Sequence, residues 1–126
     1  MYGYVINHFG NNIKYLEYEM YFLINLRKLT KYDIIYLYSI YDTPNNYITI
    51  IKKLKLNITF VKYNDDKFTV NLKSKFTSHY EHFNTLRTCN FAFAYLLTKY
   101  DKLCILESDM YILHSIDDIF DLPTQS

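Results

Sequence analysis

The chain has 126 residues, half of them hydrophobic, and 14 Lys and Arg against 13 Asp and Glu leave a net charge of +1. A length of this order supports one core that buries roughly two thirds of the unfolded surface. The near balance of charge excludes a disordered polyelectrolyte and the broad basic face of a general nucleic-acid binder, so a charged ligand has to be held locally. The 15 tyrosines, against two glycines and no tryptophan, accompany an excess of Ile, Lys and Asn. All four have A/T-rich codons, so the bias belongs to the genome and carries no catalytic weight. Cys89 and Cys104 lie in apolar stretches without C-x-x-C spacing, which suits packed free thiols in the cytoplasm or another reducing compartment and gives no disulfide framework or zinc site. For a gene of an A/T-rich virus or parasite, that compartment would be the host cell's. No signal peptide opens the sequence, and the longest apolar run, "FAFAYLL" at 91–97, falls well short of the ~18 residues of a membrane span.

In chain order, "YGYVIN" (2–7) reads as a strand that ends in the turn-rich "HFGNN". A helix follows over 13–29, with Ile13, Leu16, Met20, Leu23 and the stem of Arg27 on its expected buried face. "YDIIYLYSI" (32–40) is nearly continuously apolar, as in a parallel strand covered on both faces. Residues 44–55 read as a second helix, with Pro44 at its start and Lys52, Lys53 and Lys55 at the end where cations suit the dipole. "ITFVKY" (58–63) is a third strand and 64–82 a long excursion without clear period. A helix over about 83–99 has Leu86, Cys89, Phe93 and Leu97 as its expected core face, and "KLCIL" (102–106) is a fourth strand. This alternation predicts an α/β fold, a Rossmann-like parallel sheet flanked by helices, within one domain over 1–126. Ligands of such sheets bind beyond the carboxyl ends of the strands, where strand order reverses. Asn7 and His8 follow the first strand, and Glu107, Ser108 and Asp109 the fourth, so these two ends can share a site.

Two carboxylates separated by one residue, just past an apolar strand, can hold a hard divalent cation, with water and a diphosphate completing about six ligands. They can equally mark the wet end of a strand, and the spacing alone does not decide. Asp117 and Asp118 follow Ser115, a helix-capping residue type, and read as first-turn acids that complement a helix dipole. His79, His82 and His114 show no paired metal-ligand spacing.

The whole stretch "CILESDMYILHSIDDIFDLP" resembles the signature of the glycogenin-like glycosyltransferases, family 8. There a strand leads into Asp-x-Asp, then a short apolar strand, then an N-I-D-D/E-L-F turn. The preceding "LLTKYDK" is also similar to that family's L-x-x-Y-D-K entry to the strand. The resemblance covers about 95–123 in motifs and the earlier chain only in layout. It implies the N-terminal nucleotide-binding half of a GT-A fold, ending after the Glu-x-Asp motif, and a retaining transferase that uses a UDP-sugar and Mn²⁺ or Mg²⁺. Glu107 and Asp109 match the metal-binding positions, with glutamate standing for the first aspartate. The resemblance further puts Asn7, His8, Asn11, Asn12 and Tyr15 near base and ribose, Ser108 beside the nucleotide-sugar, and Arg87 near the phosphates. Two alternatives remain: a catalytically inactive relative that binds nucleotide-sugar, or a partner chain along an exposed sheet edge, and an Asp-x-Asp phosphohydrolase. The latter needs an aspartate nucleophile where this chain has Glu107.

Overall fold

A computed structural model describes residues 1–8, 12–38, 43–62 and 95–123. The elements are β1 (Tyr2–Asn7), α1 (Ile13–Leu29), β2 (Asp33–Tyr38), α2 (Asn45–Lys53), β3 (Thr59–Lys62) and β4 (Lys102–Leu106), followed by a 3-10 turn at Asp117–Asp121. All strand pairs are parallel and their order is β3-β2-β1-β4. The fold is therefore α/β and Rossmann-like. The expected excursion at 64–82 and the helix before 95 lie outside the described residues, as do Leu86, Cys89 and Phe93.

The central strands β1 and β2 bury their four middle residues, as their unbroken apolar runs require when both faces of a sheet are covered. Successive side chains alternate between those faces. Tyr4, Ile6, Ile34 and Tyr36 join Leu16, Leu23 and Leu26 of α1 and Tyr47 and Ile51 of α2 in the larger core. Val5, Ile35 and Leu37 point the other way and meet Leu96. Both early crossovers thus run over one face, and the chain approaches β4 from the other. That change of side puts β4 next to β1 and makes strand order reverse between them.

Gly3 faces the smaller core. A Cβ there would lie 2.9 Å from Cδ1 of Ile35 and 3.2 Å from the ring of Tyr100. The missing side chain lets Tyr100 cross β1 and donate from its hydroxyl to Asp33 Oδ2 at 2.8 Å. Nearby, the Asp101 amide donates to the Met1 carbonyl at 2.9 Å, and Nζ of Lys102 donates to the carbonyls of Phe120 (2.6 Å) and Leu122 (2.8 Å). Each residue of "YDK" therefore fastens the entrance of β4 to another part of the fold.

Three expectations need correction. Ile13 is 57% exposed, while Leu16, Glu19, Phe22, Leu23 and Leu26 form the buried stripe of α1. At about 100° per residue this stripe centres on Glu19 and Leu26, well round from the Ile13–Met20–Arg27 row; spacing misplaced it because its central residue is charged. Arg27 instead reaches across the helix end, where Nη2 donates to the carbonyls of Thr30 and Tyr32 at 2.8 Å each. Leu96, not Leu97, is the buried residue before β4. Within β4 itself Ile105 is 58% exposed, because among the described residues this strand pairs only with β1 and its outer flank is open. Cys104 is the free, half-buried thiol the sequence predicts, and burial raises its pKa.

Phe120 carries the segment after β4 back to the sheet. Its ring stacks on Tyr2 at 4.9 Å and meets Tyr4 and Tyr32 edge-on at 5.1 and 5.2 Å. Replacing it with alanine is expected to cost about 3–5 kcal/mol, measured by urea unfolding, because it empties an aromatic cluster that is 3% exposed at that residue.

Candidate functional site

The site is built where β1 and β4 end side by side. Their pairing runs to Ile6 with Leu106, which makes Asn7 and Glu107 the next residues on neighbouring strands. Beyond Asn7 the ladder to β2 continues one step further, the His8 amide donating to the Leu37 carbonyl at 2.8 Å. Beyond Leu106 the chain enters a tight turn in which the Met110 amide donates to the Glu107 carbonyl at 3.4 Å. Leu106 before this turn and Ile112 after it are both buried. The Ile112 carbonyl also accepts from Nδ2 of Asn25 on α1 at 2.6 Å. Glu107 and Asp109 are exposed on a turn anchored at both ends, and Ser108 between them is half-buried. Asp109 and Ser108 border a cleft of about 410 Å³ whose other walls are Tyr18, Tyr21 and Phe22 of α1 with Met110 and Tyr111.

These two acids offer oxygen donors to a ligand without the penalty of burying charge. Among the described residues no three His, Cys, Asp or Glu side chains converge into a ready-made metal site. A cation held here takes two ligands from the turn and the rest from water or an anionic ligand, which is how Mg²⁺ and Mn²⁺ bind beside phosphates.

Directly beneath the end of β1 lies a polar group that spacing did not reveal. His8 is 1% and Glu19 2% exposed. Nδ1 of His8 donates to one oxygen of Glu19, and the Tyr36 hydroxyl donates to the other. The His8 ring lies nearly parallel to Tyr36 at 5.9 Å and edge-on to Tyr47 at 5.7 Å. Burial, followed by the charge of Glu19 and the hydrogen bond to it, pushes the Tyr36 hydroxyl far above its ordinary pKa. The signal available in the sequence was a glutamate three residues from Leu16 and four from Leu23, on the same helical stripe.

The remaining expected residues divide among different surroundings. Asn12 caps α1, its side-chain oxygen accepting from the Lys14 amide at 3.0 Å. Tyr15 is exposed on the first turn of the same helix. Asn11, Arg87, His79 and His82 lie outside the described residues. His114 is exposed, with Nδ1 donating to the Ser115 carbonyl at 3.0 Å. Asp117 accepts from the Tyr4 hydroxyl at 2.6 Å, and its amide donates to Ser115 Oγ at 3.3 Å. Desolvation, then the bond and charge of Asp117, raises the Tyr4 pKa. Asp117 therefore belongs to the docking of the 3-10 turn, while Asp118 is exposed.

No family model matches the sequence. The chain is 33% identical over 125 residues to an uncharacterized protein of Acanthamoeba polyphaga mimivirus. The match takes in 96% of this chain and 40% of that protein, so the chain spans about two fifths of its relative's length. A viral relative is consistent with a viral origin. Among the described residues no helix is long and apolar enough to cross a membrane.

Two predictions follow from these contacts. Asp117→Ala should cost about 1–3 kcal/mol by leaving the Tyr4 hydroxyl without its acceptor, whereas Asp118→Ala should stay within about 0.5 kcal/mol, both read from denaturant midpoints. At alkaline pH, Tyr100 is raised to about 12, first by burial and then by its hydrogen bond to Asp33 and the charge there. A raised folded-state pKa contributes stability that is complete below the ordinary tyrosine value of 10 and is lost as pH climbs from 10 to about 12. Tyr100→Phe should accordingly flatten the fall in melting temperature over that window relative to wild type.

Proposed function

We propose that this chain provides the nucleotide-binding half of a metal-dependent glycosyltransferase of GT-A type, taking a UDP-sugar as donor. The observation that carries this reading is the placement of Glu107-Ser108-Asp109 in an exposed, doubly anchored turn at the reversal between β1 and β4. That is where open α/β sheets bind nucleotides. The likeness of "CILESDMYILHSIDDIFDLP" to the family 8 signature supplies the chemistry.

In this reading Glu107 and Asp109 hold Mn²⁺ or Mg²⁺ against the donor diphosphate from an exposed turn. The cation, when bound, neutralises charge on the departing UDP. Glu107 is one methylene longer than the aspartate of the family pattern, so its carboxylate reaches further from the strand end. Ser108 offers a hydroxyl between them, and Asn7 borders the same end from β1. Asn12 and Tyr15 stand at the start of α1, beside the route taken by base and ribose. The transfer is retaining by the same resemblance.

A second reading, a catalytically inactive protein that binds nucleotide-sugar or a partner chain, draws on the outer flank of β4. There the exposed Ile105 borders a groove of about 510 Å³ with Leu97, Leu103, Ile119 and Leu122. Among the described residues this edge is unpaired, and such an edge is a surface on which another strand can add.

Calorimetry with UDP-glucose and Mn²⁺ separates the two. Asp109→Asn should weaken metal-dependent UDP-sugar binding by about tenfold or more, the scale of one lost charge-assisted ligand contact, with unchanged melting temperature. Absence of metal-dependent binding in the wild type, or equal binding in the variant, overturns the proposal. Metal-dependent binding without donor hydrolysis favours the second reading.

A further inference from the structure

We infer that Glu19 is a positioning residue, which fixes His8 and through it sets Asn7 at the carboxyl end of β1. The inference deepens the nucleotide-binding reading and rests on it only for the ligand. Its basis is the buried group of Glu19, His8 and Tyr36, which joins three elements: α1, the residue after β1, and the middle of β2.

A carboxylate removed from water is costly, and a core built for stability alone does as well or better with an apolar side chain in that place. What a buried carboxylate provides instead is direction. Its two oxygens only accept, so each demands a donor at a fixed angle. One donor is the Tyr36 hydroxyl, rooted in the fully buried centre of β2. The other is Nδ1 of His8, which must carry a proton to serve. The ring is also flanked by Tyr36 and Tyr47, which fix its plane.

His8 is 1% exposed, so its imidazole is packed away from the surface on which a nucleotide would lie. Its backbone, however, is tied to the Leu37 carbonyl at 2.8 Å. The preceding residue, Asn7, is in register with Leu37 and borders Glu107 across the strand reversal. Anchoring the side chain of His8 below the sheet end therefore fixes where Asn7 stands above it. His8 would act on a ligand through Asn7, and Glu19 through His8.

The test uses the full chain and three readouts: ¹⁵N NMR of the His8 ring, amide hydrogen exchange at His8, and calorimetric affinity for UDP with Mn²⁺. In the wild type, His8 is expected to show a protonated Nδ1 and a protected amide. Glu19→Gln should raise the exchange rate of the His8 amide by about tenfold or more and weaken UDP binding by a similar factor, the scale of one lost charge-assisted bond. Exchange of the β2 and β3 amides should stay at the wild-type rate, which a general loss of stability would not allow. Tyr36→Phe removes the second donor to Glu19 but leaves the His8 contact, so it should raise His8 amide exchange and weaken UDP binding less than Glu19→Gln does.

Wild-type exchange at His8 in folded Glu19→Gln overturns the inference, and so does altered exchange with unaltered UDP affinity. If Glu19→Gln does not fold, an unprotonated Nδ1 or an unprotected His8 amide in the wild type overturns it. A wild type that binds no UDP refutes the nucleotide reading, while the ring and exchange data still decide whether Glu19 positions β1.

Discussion

β1 is hydrogen-bonded to parallel neighbours on both sides, and the other structural features depend on this. A parallel neighbour can be reached only by a crossover, and crossovers of one hand over one face extend the sheet in one direction. The chain uses α1 and α2 on the same face to place β2 and then β3, and reaches the other side of β1 only by passing to the opposite face. Two strands separated by nearly the whole chain, β1 and β4, consequently end beside one another. The juxtaposition of Asn7 with Glu107 follows from topology before any side chain is considered.

Topology brings the ends together, and the segment after the acidic turn keeps them there. Ile112, the 3-10 turn and Phe120 return to the same face that α1 covers, and Phe120 fills a space between Tyr2, Tyr4 and Tyr32. Lys102 at the start of β4 binds the carbonyls at the end of that turn, and Tyr4 binds its first acid. The residues flanking Glu107 and Asp109 thus clamp β4 from both ends. This packing role is compatible with the proposed site, because a turn that presents two carboxylates to a ligand needs fixed ends.

Much of this architecture was legible in the sequence. The four strands and two helices were marked by apolar runs and by turn residues: the observed bounds of β1, α1 and β4 coincide with the expected ones, α2 is shorter at both ends, and β2 and β3 each begin one residue later. Strand order was legible only as a rule about alternating units, since spacing does not say which face a crossover takes. The buried face of α1 was misplaced because hydrophobic periodicity treats a glutamate as solvent-facing, and Glu19 lies at the centre of the stripe. For the same reason His8 was grouped with ligand-facing residues although it points into the fold. Partners of a buried polar group come from distant parts of the chain, and no local pattern encodes them.

The two glutamates near the sheet end show how the same carboxylate serves opposite ends. Glu107 sits in water, where the side chain is free to approach a cation or a ligand. Glu19 sits in the core, where one donor from β2 and one from the residue after β1 meet it, and where it has no freedom left to approach anything else. An exposed acid beside a rigid strand end can bind with some selectivity only if that end does not move. The buried acid supplies that rigidity at β1, just as the aromatic cluster supplies it at β4. The apolar core makes the sheet stable, and these two anchors determine where its carboxyl ends stand relative to each other.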